Sequence, residues 1–520
     1  MKRRPNFIVI HTDQQRADCV GINGHRPGIY TPSIDSIGYQ GANFTAAYTS
    51  CPVCMPQRLS LLTGQLPEHH GLFDNVGIPY LPLDTTLPAE MRRGGYQTAL
   101  VGRTMHTYPF SYPYGFEYYR PGDPSSDNKQ NDAFFEYVEE HSCPGDGGYY
   151  GGGPHNNSRA AAPFHLSDDC HQTKWATNEA LDFLRKRDVS RPFLLFVGYY
   201  APHSPHNPPA HFFDRYYQRN DLGHPAIADW DIPPASSGNI MSRYHTLSEE
   251  EVRCLYAGYY GNIAFIDSQV SRILQAAMGQ PDTYVIFTSD HGEMLGDHYL
   301  MQKSRPYQGA VHIPFLMMGP GIADSQTIDA PIGWHDVMPT ILDLAGLPVP
   351  DSVDGRSFAP LLRGEQSDTP WRTYIHGECT HSPLFDAKTR PAEDGRHNYI
   401  YEAGSHFLTD GKMKYIWYDT SGREQLFDIA CDPGELQDLA KQPQYADCLA
   451  AWRSRLVKTL AGREEGFSDG ERLIPGCTPL RTSRKMTTLM EQRRAEGFSM
   501  AFQRKASPVD RLENAPDLMR

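Results

Sequence analysis

No apolar run in the 520 residues approaches the ~18 that a membrane-spanning helix needs; the longest are Phe193–Ala201 and Ile313–Met318. No membrane partner is expected. The basic opening Met1-Lys-Arg-Arg-Pro meets only Phe7-Ile-Val-Ile10, shorter than the ~7–15 apolar residues of a signal-peptide core. The sequence is read as lacking a secretion signal, a cytoplasmic location is expected, and the sequons Asn43-Phe-Thr45 and Asn156-Asn-Ser158 are then chance matches. Ten cysteines are too few for a disulfide scaffold of this length. A basic surplus is missing too: 48 Lys and Arg face 62 Asp and Glu, a net charge of −14. That argues against nucleic acid as a partner, because duplex affinity comes mainly from cations meeting phosphates. There is no internal repeat. What is present is globular: 39% hydrophobic, 21% charged and 11% aromatic residues, enough for a full core.

Strand-like and helical patterns alternate along the chain. Phe7–His11 reads as a strand; Leu87–Arg93 as a helix followed by a strand at Thr98–Val101. A helix around Trp175–Arg187 precedes the run Phe193–Tyr199. Ser248-Glu-Glu-Glu251 reads as a capping box, and Val252, Leu255, Tyr259, Ile263, Ile266, Val270 and Ile273 recur at helical spacing up to Gly279. Tyr284–Phe287 and Ile313–Met318 read as further buried strands. The expected fold is α/β: a large, mostly parallel sheet flanked by helices over residues 1–375. Residues 376–520 form a smaller α+β subdomain. There Asp410-Gly411 joins two strand-like runs as a hairpin, Glu424–Asp428 adds a strand, and a helix runs from Pro443 to Ala461. Tyr108–Gly153 and Ala201–Ser242 read as long loops covering a site. The basic stretch Arg481–Lys505 reads as solvated surface, with an oligomer contact or a lid as alternatives.

Polar residues follow the strands directly. His11-Thr12-Asp13-Gln14, Gly102-Arg-Thr-Met-His106, Ala201-Pro-His-Ser-Pro205 and Ser289-Asp-His-Gly292 each sit at a strand's carboxyl end. Ligands bind at that edge of open α/β sheets. A lone histidine at a strand end is usually structural. Four such ends delivering Asp13, Gln14, Arg103, His106, His203, Asp290 and His291 to one edge are hard to explain as packing.

Between the first two lies Cys51-Pro-Val-Cys-Met-Pro-Gln-Arg-Leu-Ser-Leu-Leu-Thr-Gly64. Cys54-x-Pro56-x-Arg58 followed by Leu61-Leu62-Thr63-Gly64 resembles the signature of the formylglycine-dependent sulfatases of the alkaline-phosphatase-like superfamily. The likeness continues through Thr31-Pro-Ser-Ile-Asp35, His203, Asp290-His291-Gly292, Lys303 with Tyr307, and Leu426-Phe-Asp-Ile-Ala-Cys-Asp-Pro-Gly-Glu435. The sequence departs from the family pattern at Gln14 (often Asp), Gln57 (often Ser), Arg103-Thr-Met-His106 (a Lys-x-His) and Gln308 (often Glu).

The resemblance implies a sulfate-ester hydrolase acting on a sulfated small molecule or glycan. A maturation enzyme would oxidise Cys54 to formylglycine, whose hydrate attacks sulfur with one hydroxyl and expels sulfate with the other. Asp13, Gln14, Asp290 and His291 would hold a divalent cation beside residue 54, Ca2+ first and Mg2+ or Mn2+ as alternatives; oxygen ligands suit such hard ions. An imidazole is unusual on calcium, and it is the resemblance that makes His291 a ligand. Arg58, Arg103 and Lys303 would hold the diol and sulfate oxygens. His106 would be the base, and His203 with Lys303 the acid on the leaving oxygen.

Other readings compete. Cys51-x-x-Cys54 also fits a redox pair, though nothing else resembles a thioredoxin-like unit. His69-His70-Gly71 reads as a helix end, with a pocket lining as the alternative, and Tyr149-Tyr150 and Tyr199-Tyr200 as packing, with a sugar platform as the alternative. Hydrolysis of a phosphonate monoester or phosphodiester by the same formylglycine chemistry is the alternative activity, and a catalytically silent binding protein is a third.

Overall fold

The computed structural model describes residues 4–496 except 25, 77–84, 106–111, 125–131, 155–156, 232, 235–243, 281, 366–368 and 381–401. The first strand, β1 (Asn6–Asp13), is buried at every position. Ile8 and Ile10 pack into one apolar layer, Phe7 and Val9 into the other. A strand covered on both faces needs no polar alternation, which is why it reads as a continuous apolar run. Seven more strands join it: β2 (Gly41–Phe44), β3 (Gln97–Gly102), β4 (Tyr118–Pro121), β5 (Phe193–Pro202), β6 (Thr283–Ser289), β7 (Phe315–Met318) and β8 (Gln326–Ile328). Their order is β4-β3-β5-β1-β6-β7-β2-β8.

β7 runs antiparallel to both its neighbours, β6 and β2, while the other pairings are parallel. The expected strand Ile313–Met318 is therefore present but reversed, and the sheet is mixed and mostly parallel. The helices Pro32–Tyr39, Gln172–Lys186 and Glu249–Met278 cover one face; Cys54–Thr63, Leu87–Arg93 and Val337–Leu344 cover the other. The capping box forms: Ser248 Oγ accepts from Glu251 N at 3.3 Å, and Glu251 Oε2 from Ser248 N at 2.9 Å.

A second, antiparallel sheet has the order β12-β11-β10-β9. It comprises β9 (Ile375–Thr380), β10 (Gly404–Thr409), β11 (Met413–Tyr418) and β12 (Glu424–Asp428). The β10–β11 hairpin turns at Asp410-Gly411, where Gly411 takes a φ of 85° and Asp410 Oδ1 accepts from Lys412 N and Met413 N. Leu408, Tyr415, Trp417 and Leu426 face the helix Ala446–Thr459, and Phe407, Ile416 and Phe427 face Tyr307 of the large unit.

Both stretches read as loops contain regular structure. Tyr108–Gly153 includes β4 and a helix at Ala133–His141; Ala201–Ser242 includes a helix at Ala210–Tyr217. Of Arg481–Lys505, the described part is mostly solvated surface, with one apolar contact. Arg484–Ala495 is a helix whose Met486 and Met490 pack on Leu59 and Leu72, against the helix that begins at Cys54. Among the described residues no helix is long and apolar enough to cross a membrane.

Candidate active site

The parallel strands β1, β3, β5 and β6 end side by side, so Asp13, Arg103, His203 and Asp290 converge. The helix Cys54–Thr63 points its N-terminus into the same space. Its N-cap, Val53, has no side chain that can accept a hydrogen bond; Asn75 Oδ1 accepts from Met55 N at 2.9 Å instead. Cys54 thus stands in the first turn, at the positive end of the helix dipole.

Cys54 is 2% exposed. Its Sγ lies 3.2 Å from His291 Nε2 and 3.9 Å from Asp13 Oδ1. Burial and Asp13 push this thiol's pKa up, but Lys303 and His291 outweigh them and leave it below its ordinary value. His291 Nδ1 lies 3.0 Å from Gly292 O, which fixes Nε2 as the end facing the cluster. His291 Nε2 is 3.8 Å from Asp13 Oδ1 and 3.7 Å from Asp290 Oδ1.

The arginines face the carboxylates. Arg58 gives Nε and Nη2 to Asp290 Oδ2 at 3.1 and 2.8 Å, Nη2 also to Asp13 Oδ2 at 2.8 Å, and Nη1 to Thr104 O at 2.7 Å. Arg103 reaches Asp13 Oδ2 through Nε at 2.9 Å and Nη2 at 2.7 Å, and pairs with Asp123 through Nη1. It also stacks over the Tyr200 ring. Asp13 therefore uses Oδ2 for two guanidinium groups and turns Oδ1 toward Cys54 and His291. Burial alone would raise its pKa, but Arg103, His203, Arg58 and Lys303 together hold it well below the usual carboxylate range.

Lys303 Nζ donates to Gln14 Oε1 at 2.7 Å. His203 Nδ1 sits 2.7 Å from Ser204 O, so Nε2 is the other available end. Burial, with Lys303 and Arg103, drives the His203 pKa well below the ordinary histidine range. Lys303 is tied to the small sheet through Tyr307, whose hydroxyl meets Tyr418 Oη at 2.8 Å and Gln425 at 3.0 Å, and through Gln308, whose N–H donates to Glu435 at 2.7 Å.

Asp13, Cys54, Asp290 and His291 form a buried group whose ligand atoms all lie within 4.8 Å of one another. The donor set fits a divalent cation. Two carboxylates have their second oxygens held by arginine, and the imidazole presents its Nε2; the amide oxygen of Gln14, the residue after Asp13, accepts from Lys303 Nζ.

Of the residues picked out in the sequence, Asp13, Gln14, Cys54, Arg58, Arg103, His203, Asp290, His291 and Lys303 gather in one buried site. His106 lies outside the described residues. Gln57 faces away from the cluster, its Oε1 accepting from Ser50 N and Oγ. Cys51 makes no disulfide, and its buried thiol donates to Phe73 O at 3.4 Å, so the redox pair has no support. His70 faces Ser60, and His69 faces Asp354. Asp123, Thr104 and Glu293 carry no role in the sequence reading, and Tyr200, read there as packing, lies under the Arg103 guanidinium. Glu293 adjoins Asp290-His291-Gly292 and carried that signal; Asp123 is a lone aspartate with none.

Comparison with known proteins agrees over nearly the full chain. The sulfatase family model matches residues 5–347, and that of the N-sulphoglucosamine sulphohydrolase C-terminal region matches 296–461. An arylsulfatase of Clostridium perfringens is 33% identical over 91% of this chain and 98% of its own. A choline-sulfatase of Rhizobium meliloti is 28% identical over 85% of this chain and 83% of its own. The crystal structure of a phosphonate monoester hydrolase of Agrobacterium radiobacter superposes with a TM-score of 0.70 at 25% identity, covering 88% of this chain and 95% of that one.

Proposed function

The chain belongs to the sulfatase family and is a sulfuric ester hydrolase; from that premise we propose that it cleaves the sulfate ester of a phenol or a sugar, with residue 54 as the nucleophilic position. The observation that carries this is the setting of Cys54 in the first turn of its helix, against His291 Nε2 and Asp13 Oδ1. Oxidation of Cys54 to formylglycine by a maturation enzyme would supply a hydrated aldehyde, an oxygen nucleophile better suited to sulfur than a thiol. A divalent cation, Ca2+ by its oxygen-rich donor set, would be held by Asp13, Gln14, Asp290 and His291 and would neutralise charge on the sulfate oxygens.

This chain's own residues do the rest. Arg58 and Arg103 keep Asp13 ionised and aimed, which the geometry supports better than direct contact with sulfate. The helix Cys54–Thr63 turns the positive end of its dipole toward residue 54. Lys303 gives one N–H to Gln14 and has two more donors for the substrate. Lys303 would give the departing alkoxide its proton; His203, whose Nδ1 faces Ser204 O and whose pKa lies well below the ordinary histidine range, has no proton on Nε2 to offer.

The second reading is a phosphonate monoesterase or phosphodiesterase, favoured by the phosphonate monoester hydrolase superposition. A sulfate monoester, a phosphodiester and a phosphonate monoester each carry one negative charge; a phosphate monoester carries up to two near neutrality, its second pKa being about 6. The test is kcat/KM for these four esters of one phenol. The sulfate should lead and the phosphate monoester trail; a leading phosphonate or phosphodiester hands the site to the second reading.

Lys303→Ala should slow alkyl sulfates by about 10²-fold or more and aryl sulfates by less, because a phenolate leaves without full protonation. Equal slowing of both series would make Lys303 a sulfate-binding group instead.

A further inference from the structure

Glu293 is wholly buried and stands outside the Asp13, Cys54, Asp290 and His291 cluster. Its carboxylate nevertheless gathers three donors. Oε1 accepts from Leu295 N at 2.9 Å and from Gln302 N, while Oε2 accepts from the side-chain Nε2 of Gln14. The far end of that amide, Gln14 Oε1, is the atom that accepts from Lys303 Nζ.

The two ends of a glutamine amide are almost the same size and opposite in chemistry. A carboxylate only accepts, so Glu293 draws the NH2 group to itself and turns the carbonyl oxygen the other way, toward Lys303. The same carboxylate fixes Gln302 N, one residue before Lys303. Glu293 is itself anchored: its carbonyl accepts from Arg16 Nη1 at 2.7 Å, and Arg16 belongs to a partly buried ion-pair ring with Asp18, Arg26 and Asp297.

We infer that Glu293 is a positioning residue that sets the orientation of the Gln14 amide, so that the pair presents an oxygen at position 14 where the family often has a carboxylate. The inference rests on the reading of Gln14 as a cation ligand. Single changes break the match in different ways. Gln14→Glu sets two carboxylates against each other. Glu293→Gln sets two amides together. The oxygen of the new amide is already engaged by Leu295 N and Gln302 N, so its NH2 meets the NH2 of Gln14. For Gln14 to turn over, it would have to point its own NH2 at the Lys303 ammonium. The exchanged pair, Gln14→Glu with Glu293→Gln, restores every hydrogen bond: the amide at 293 donates, and the carboxylate at 14 accepts on both sides.

The experiment is a double-mutant cycle on the purified enzyme, read as Ca2+ and Mn2+ affinity against a competing chelator and as ion-free thermal midpoint. Each single variant should bind the ion about 10–100-fold more weakly than wild type, the usual range for a group that orients a ligand. The exchanged pair should recover about tenfold or more over the weaker single. A pair no tighter than the weaker single overturns the inference, as does either single binding like wild type. A single variant that does not fold should regain a folded midpoint in the exchanged pair; a pair that stays unfolded also overturns it. A wild type that binds neither ion defeats the cation reading alone. The ion-free midpoints then decide the pairing, with recovery in the pair supporting it and additive losses refuting it.

Discussion

Cys54→Ala should lose sulfate-ester hydrolysis by on the order of 10⁴-fold or more while remaining folded. The substitution deletes one sulfur from a site where Cys54 contacts His291 and Asp13, and it leaves the helix start and its Asn75 cap in place. Cys51→Ala is the matched control. Cys51 is also buried, and its thiol donates to Phe73 O, so its loss should leave kcat/KM within about tenfold of wild type and show mainly in stability. Kinetics on an aryl sulfate, with circular-dichroism melts of all three proteins, separate the cases. Comparable turnover by Cys54→Ala and wild type would remove residue 54 from the chemistry.

Asp13→Ala should cost both the bound cation and the fold's margin of stability. Asp13 is wholly buried and its Oδ2 is shared by Arg58 and Arg103. Removing it leaves Arg103 with Asp123 alone and Arg58 with Asp290 alone, so each buried guanidinium loses one hydrogen-bonded carboxylate. Breaking one side of a buried ion pair typically costs about 3–5 kcal/mol. Chelation should also abolish turnover, but reversibly and without disturbing the arginines, so the chelated wild type should melt well above Asp13→Ala. Metal content by mass spectrometry and paired melts check both parts. Full turnover in an exhaustively chelated enzyme would mean that Asp13, Asp290 and His291 hold no catalytic ion.

Why so much of this site could be read from sequence follows from the sheet. β1, β5 and β6 are buried on both faces and appear as unbroken apolar runs, so the polar residues that end the runs are conspicuous. A parallel sheet puts those ends on one edge. The direction of β7 was not legible, because an apolar run has the same composition whichever way it lies. β2 and β8 escaped notice because strands of three or four residues carry too little pattern. The arginines were recognised but not their aim. That Arg103 and Arg58 turn toward Asp13 depends on Asp123 and Tyr200 beside Arg103 and on Thr104 O beside Arg58, contacts that no motif spacing announces. Glu293 adjoins a recognised motif, yet its work is defined by Gln14, 279 residues earlier. Hydrogen bonds across such separations are decided by the fold.

The central claim is that residue 54 becomes the nucleophile of a sulfatase. It is tested most directly by peptide mass spectrometry of the enzyme co-expressed with a formylglycine-generating enzyme, with aryl sulfatase activity followed in the same preparation. The expected result is an aldehyde mass at position 54, an unmodified thiol at Cys51, and activity that rises in proportion to the converted fraction. An unmodified Cys54 thiol in fully active protein, or conversion at Cys51 instead, would contradict it.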